Sequence, residues 1–338
     1  MRIIDYGRLL LLAALWGASF LFMRITTPAF GALNSAFLRV LFAAIALGLL
    51  LGVQGKWSGY QGKFTSTLQL GVINSGLPFL MYCLAAQWLP AGYSATLNAT
   101  APMMGVLIGA LCFAEPLTLR KGGGAILGAI GVAVIARPTS GLSAALLLPG
   151  IGACLTATAC YGLAGFLTRR WIQQRGGLEA ERVALGSQVG ATLFLFPFFL
   201  WSCWHGPAVD WRQSLPWIAI VMLGVVCTAA GYIIYFRLIA DIGPLRSLSV
   251  TFLIPPFAAL WGYLCLGETV EEGLILGALL VCVALVTFLI PPFAALWGYL
   301  CLGETVEEGL ILGALLVCVA LWMIIVPSGR KRGVPDGA

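Results

Sequence analysis

Apolar residues run along this chain in long blocks, at about 9–25, 35–53, 67–89, 91–113, 122–136, 144–168, 183–203, 215–240, 247–266, 273–302 and 309–326. Most blocks are close to the length a helix needs to cross the hydrocarbon core, about 20 residues. None alternates apolar and polar as a barrel strand does. Lipid leaves only helices and closed barrels able to satisfy the backbone, so the blocks predict membrane-spanning helices. Polar segments separate them, at Gln54 to Phe64, Glu115 to Lys121, Arg169 to Arg182, His205 to Gln213 and Asp241 to Arg246. The first block resembles a secretory signal in isolation, but further blocks of the same kind follow, which makes it an uncleaved helix. The predicted fold class is an all-α polytopic membrane protein.

The blocks repeat. An offset of 153 residues carries Tyr82 to Tyr235, Pro102 to Pro255, Glu115 to Glu268 and Gly124 to Gly277, while Trp16-Gly17 and Arg24 map to Tyr161-Gly162 and Arg169 at an offset of 145. Each half then holds five helices, 1–137 and 138–326, followed by a basic tail at 327–338. An odd number of spans inverts the second half, and a 5+5 inverted repeat is how many secondary transporters expose one midplane site to either side in turn.

A second repeat is literal. Residues 250–285 are written again without change at 286–321. A recent duplication, an engineered copy or a sequence-assembly error would each produce such identity. Between Gly273 and Leu302 there are 30 residues without a charge or a polar turn. One span needs about 20 residues and two need about 40 plus a connection, so the stretch fits neither. It could fold back as two short spans, giving up to 12 membrane segments, cross once as a long tilted helix, or leave one copy displaced at the bundle edge. The displaced copy is the preferred expectation, because both copies carry one packing surface.

Composition narrows the class. Of 338 residues 60% are hydrophobic and 9% charged, with a mean hydropathy of +0.98, which excludes a water-soluble globule. With an internal N-terminus and ten ordinary spans, cytoplasmic segments hold fifteen of the 19 basic residues and external ones only Arg24, Arg137 and Arg212. The remaining one, Arg39, lies within a span. That bias places both termini in the cytoplasm, and it reads the net charge of +6 as membrane orientation, with no nucleic acid implied. The ten cysteines lack Cys-x-x-Cys spacing and read as small buried hydrophobes, not as disulfides or a metal site. His205, beside Trp201 and Trp204, reads as part of an interfacial aromatic belt. GKW at 55–57 and GKF at 62–64 lack the full glycine-rich pattern of a phosphate loop. No cofactor or metal is expected. The expected partners are the lipid bilayer and a small-molecule substrate, and monomer and homodimer both remain open.

Several stretches resemble the drug/metabolite transporter superfamily, specifically its EamA type: LWGASF at 15–20, the span around Arg39, APMMGVLIGALCFAEPLT at 101–118 and IPPFAALWGYLCLGETV at 254–270. The resemblance covers nearly the whole chain. It implies a ten-helix transporter of small organic metabolites, amino-acid-like or drug-like, often an exporter, in a bacterial inner membrane. The copy at 286–321 departs from the family pattern, so a chain that inserts but transports poorly is the alternative. An intramembrane enzyme is a more distant alternative, since the spans offer neither acid nor histidine for a catalytic pair.

The candidate residues follow from polar groups inside apolar runs. Arg39 suits an anionic substrate group or a gate, or else snorkels to the outer surface about one and a half turns away. Asn74, Pro78 and Tyr82, and again Ser94, Asn98 and Pro102, fall at i, i+4 and i+8, which places each trio on one helix face. Thr228, Tyr232, Tyr235, Thr251 and Pro255 extend the set. These groups either line a hydrated cavity or hydrogen-bond between helices. Trp16 either walls a substrate site or packs. Glu115, Glu268 and Glu304 sit at helix ends near water, where capping or loop structure outweighs proton coupling. The glycines of KGGGAILGAIG read as close helix packing.

Overall fold

A computed structural model describes residues 3–57, 59–85, 87–88, 94, 97–98, 100–116 and 144–266. The fifth apolar block, the second copy at 286–321 and the basic tail lie outside the described residues. All described regular structure is helical. Helices α1 (Ile3–Phe30), α2 (Ala32–Val53), α3 (Phe64–Ala85), α4 (Ala101–Phe113), α5 (Ala144–Trp171), α6 (Ala180–His205) and α7 (Ser214–Ile242) follow in order. Last comes α8, which covers 244–266 as Pro244–Leu248, a 3-10 stretch at Ser249–Phe252 and Ile254–Leu266. Among the described residues six helices are long and apolar enough to cross a membrane: α1, α2, α3, most of α5, α6 and α7. Helix α1 runs past the first apolar block to Phe30, so Arg24 sits on a helix and not in a loop.

Two helices depart from α geometry. Helix α3 is π-helical at Val72–Gly76 and α7 at Leu223–Ala230. The offset of 153 lays 72–76 on 225–229, inside the second π stretch. A π stretch adds a residue per turn and marks functional sites in helices more often than elsewhere. Strict i, i+4, i+8 alignment therefore fails in α3. Pro78 also lacks an N–H to return to the Asn74 carbonyl, and the Tyr232 phenol donates to that carbonyl instead, at 2.8 Å.

Close backbone approach positions the helices, and it occurs twice in the same form. A Cβ added at Gly71 would overlap the Ser187 carbonyl oxygen and lie 2.9 Å from the Ala191 nitrogen; one added at Gly224 would lie 2.9 Å from the Arg39 carbonyl oxygen and 3.3 Å from the Ala43 nitrogen. Gly71 maps to Gly224 at 153, and Arg39 and Ala43 map to Ser187 and Ala191 at a common offset of 148. Helix α3 thus crosses α6 as α7 crosses α2. Without a hydrophobic force between helices in lipid, such small-residue crossings carry the association through dispersion. A second pair repeats the theme, with Gly17 against the Phe257 and Ala258 backbone and Gly162 against Gly105.

The two ends of the bundle differ in chemistry. At one end lie the start of α1 and the α2–α3, α5–α6 and α7–α8 connections, and every ion pair found among the described residues is there. Arg8–Asp241 (2.6 Å), Lys56–Glu179 (3.1 Å) and Arg169–Glu115 (3.0 Å) each join the first half to the second, and Arg237–Glu181 (3.0 Å) ties α7 to α6. Lys56, with Arg182 behind it, holds the Glu179 carboxyl below its ordinary range. A depressed carboxyl keeps its charge above its unfolded value and loses the bridge only as pH falls through the lowered one, so near neutral pH this contact does not titrate. Burial raises the Tyr60 phenol, against a smaller opposing pull from Arg182. The opposite end carries aromatic rings: Phe30 stacks on Trp211 at 5.3 Å, Trp217 donates to the Trp211 carbonyl at 2.9 Å, and Trp201 stacks on His205 at 5.7 Å.

Gly71→Ala and Gly224→Ala are each expected to lower the thermal unfolding midpoint of the full chain in detergent, by at least about 1–3 kcal/mol of stability as for other overpacked sites. Gly152→Ala, where nothing lies within 4 Å of the added Cβ, leaves the midpoint unchanged or higher.

Candidate functional site

A cavity lies where α1, α2, α3, α5, α7 and α8 converge. Eight of its fifteen described lining residues are paired by the repeat. Trp16 and Tyr161 are related by the offset of 145, and Phe79 and Tyr232, Tyr82 and Tyr235, and Asn98 and Thr251 by 153; all eight face this space. The ring contacts repeat as well, with Trp16–Tyr235 centroids 5.3 Å apart and Tyr161–Tyr82 centroids 6.2 Å apart. The room open to the centre of a water molecule is about 60 Å³, enough for a few waters and well below the about 300 Å³ at the lower end of small-molecule sites.

Arg39 breaks the pairing. It reaches the cavity from α2 with only 7% of its surface exposed, whereas its repeat mate is the uncharged Ser187. Its Nε donates to Thr228 Oγ1 at 2.8 Å, Nη1 lies 3.9 Å from Met23 Sδ, and the guanidinium sits 3.8 Å over the Phe79 ring. None of the ion pairs among the described residues involves it. A cation–π contact contributes about 0.5–2 kcal/mol and a charge-assisted hydrogen bond about 1.5–3 kcal/mol. Removing a cation from water costs several kcal/mol even after relaxation, so both contacts are needed merely to hold the charge there.

Of the residues singled out in the sequence, Trp16, Arg39, Asn74, Tyr82, Asn98, Tyr232, Tyr235 and Thr251 line this one cavity. Thr228 stands behind the lining as the partner of Arg39. Pro102 is buried in α4 away from the cavity, and the Pro255 side chain lies outside the described part. Asn98 accepts the Tyr82 phenol at 2.8 Å. Among the described residues, both side-chain amide atoms of Asn74, the Trp16 indole Nε1 and the Tyr235 hydroxyl are buried without a partner. Sequence reading passed over Phe79 and Tyr161 as lining residues. Applying the repeat offsets to Tyr232 and Trp16 would have found both.

A bundle of apolar helices around a buried, paired cavity with a single cation is the architecture of a membrane carrier. Residues 7–137 and 148–289 each match the EamA-like transporter family. The chain belongs to that family, as two EamA copies, and is a multi-pass membrane transporter rather than an enzyme. It is 25% identical over 264 residues to a "Probable terminal-alkyne amino-acid exporter" of Streptantibioticus cattleyicolor, covering 77% of this chain and 84% of that one. It is 26% identical over 289 residues to a "Probable amino-acid metabolite efflux pump" of Salmonella typhimurium, covering 82% and 91%. A solved crystal structure shares the fold with a TM-score of 0.61 at 17% identity, over 86% of this chain and all of its own.

Thr228→Val should leave the Arg39 Nε–H without its acceptor and cost about 1–3 kcal/mol, read as a lower unfolding midpoint. Thr228→Ser, which keeps the hydroxyl, should restore most of the loss.

Proposed function

We propose that this protein is a secondary transporter that moves small organic metabolites outward across a bacterial inner membrane, by alternating access between two inverted five-helix halves, 1–137 and 138–326. The observation that carries this reading is the cavity whose walls come in repeat-related pairs, since a site on a pseudo-two-fold axis can open by the same motion toward either side. The names of the relatives support amino-acid-like cargo and export. A full phosphate-loop motif is missing from the sequence, which favours a gradient over ATP as the energy source.

The charged end supplies one gate. Three ion pairs join the halves there, each worth about 0–1 kcal/mol near a surface. Together they bias the equilibrium between closed and open cytoplasmic ends without locking it, as a carrier cycle requires. The excess of basic residues at this end supports its assignment to the cytoplasm. Residues 250–266, the described start of the first copy, pack against the cavity: Thr251 and Ile254 face it, and the Trp261 indole donates to the Ala14 carbonyl at 3.0 Å. The copy at 286–321 lies outside the described residues.

Untargeted mass spectrometry of the medium tests the proposal, using cells that express the full chain, the version lacking 286–321, or an empty vector. At least one metabolite should accumulate outside with both versions. Accumulation only with the shortened version would identify the second copy as a defect. No difference from the vector, despite confirmed insertion of both, would sink the exporter assignment. Among the same cells, charge-neutralising Lys56→Gln with Arg169→Gln should alter the export rate by several-fold while leaving the unfolding midpoint nearly unchanged.

A further inference from the structure

The cavity's polar groups are unevenly matched. The one formal charge among its described lining residues is the Arg39 guanidinium, and the hydrogen bond to Thr228 leaves most of the guanidinium fork without an oxygen acceptor among the described residues. The buried groups without partners add donors: the Trp16 Nε1–H, the Tyr235 hydroxyl and the Asn74 amide nitrogen, against a single side-chain carbonyl acceptor, Asn74 Oδ1. No acid is among the described lining residues. All other polar contact on the first-half flank is already internal, since Tyr82 is taken up by Asn98. The rest of the wall is ring faces and apolar side chains, including Phe20, Phe79 and Tyr161.

We infer that the cavity is a carboxylate site, in which Arg39 receives the carboxylate of a monoanionic organic acid with an aromatic or apolar body, and that no charged partner is provided for an ammonium group. This rests on the transporter reading and names the cargo of the same site. Arginine presents a planar fork that fits a carboxylate with two parallel bonds. A carboxylate seated there removes the uncompensated buried charge, so the loaded cavity is neutral and the empty one carries +1. An amino acid would bring an ammonium group whose options are Asn74 Oδ1 and ring faces close to an existing cation. Acids that lack the ammonium, such as N-acylated amino acids, leave no such group unmatched.

The charge arithmetic has a functional consequence. Each cycle moves one negative charge outward, and an interior-negative membrane potential drives it. At 100 mV this favours export by about 50-fold at equilibrium, with no proton relay through the spans.

The test uses the purified full chain in proteoliposomes, with efflux of internal radiolabelled N-acetylphenylalanine compared with phenylalanine, at zero potential and at an interior-negative potassium–valinomycin potential. The acetylated monoanion should leave at least about tenfold faster than the zwitterion, and only its efflux should accelerate with the potential. Arg39→Gln should abolish this efflux, and Arg39→Lys, which keeps the charge but not the fork, should retain a fraction of it with the parent's unfolding midpoint. Equal efflux of both compounds, indifference to potential, or normal anion efflux by Arg39→Gln would overturn the assignment. If neither compound moves while cells still export a metabolite, the carboxylate assignment fails and the transporter reading stands. If cells export nothing either, both fail.

Discussion

A guanidinium ion held inside a bundle of apolar helices is the constraint around which the centre of this protein is arranged. Burial of that charge is unfavourable by several kcal/mol, and the fold meets it with one hydroxyl and one ring, Thr228 and Phe79. Thr228 is available because α7 is π-helical there: its hydroxyl donates to the Leu223 carbonyl five residues back at 2.7 Å and accepts from Arg39. The Arg39 carbonyl, in turn, lies against Gly224, so the same turn of α2 that carries the charge is also the close crossing with α7. Geometry, charge and the irregular backbone of α7 are one local solution.

The pseudo-symmetry sets off what is not symmetric. Crossings of α3 on α6 and α7 on α2 share the same atoms at related positions, and eight of the cavity's fifteen described lining residues fall in repeat-related pairs. Where the first copy has Arg39, the second has Ser187. Tyr82 finds Asn98, while Tyr235 finds no such partner among the described residues, where Thr251 stands in place of Asn98 and donates to the Leu248 carbonyl. Two related scaffolds thus enclose a site with one polar, cationic flank and one satisfied flank. A scaffold that is symmetric can reverse its tilt; a lining that is not symmetric can still hold a ligand in one orientation.

Much of this was legible beforehand, for physical reasons. Hydropathy blocks reveal helices because lipid permits little else, and of the residues singled out inside such blocks eight converge on one cavity. Offsets of 145 and 153 were visible from Trp16, Tyr82 and Pro102. What stayed hidden depended on backbone detail. Helical spacing put Pro78 with Asn74 and Tyr82, but the π stretch changes the register, and Pro78 acts instead by leaving the Asn74 carbonyl free for Tyr232. Thr228, for which the sequence leaves cavity lining and interhelical hydrogen bonding open, takes the second role as the support of Arg39. Glu115, whose place at a helix end suits capping or loop structure, bridges to Arg169, a contact between segments 54 residues apart that no local pattern encodes.

Alternating access requires one cavity to face each side of the membrane in turn. It is tested most directly by placing a lone cysteine at Asn74 in a chain whose native cysteines are replaced by alanine, and measuring its labelling by a membrane-impermeant maleimide in right-side-out and inside-out vesicles. Alternating access predicts labelling from both sides, with the cytoplasmic rate rising when the Arg8, Lys56 and Arg169 ion pairs are broken. Labelling from one side only, unchanged by loss of those pairs, would contradict it.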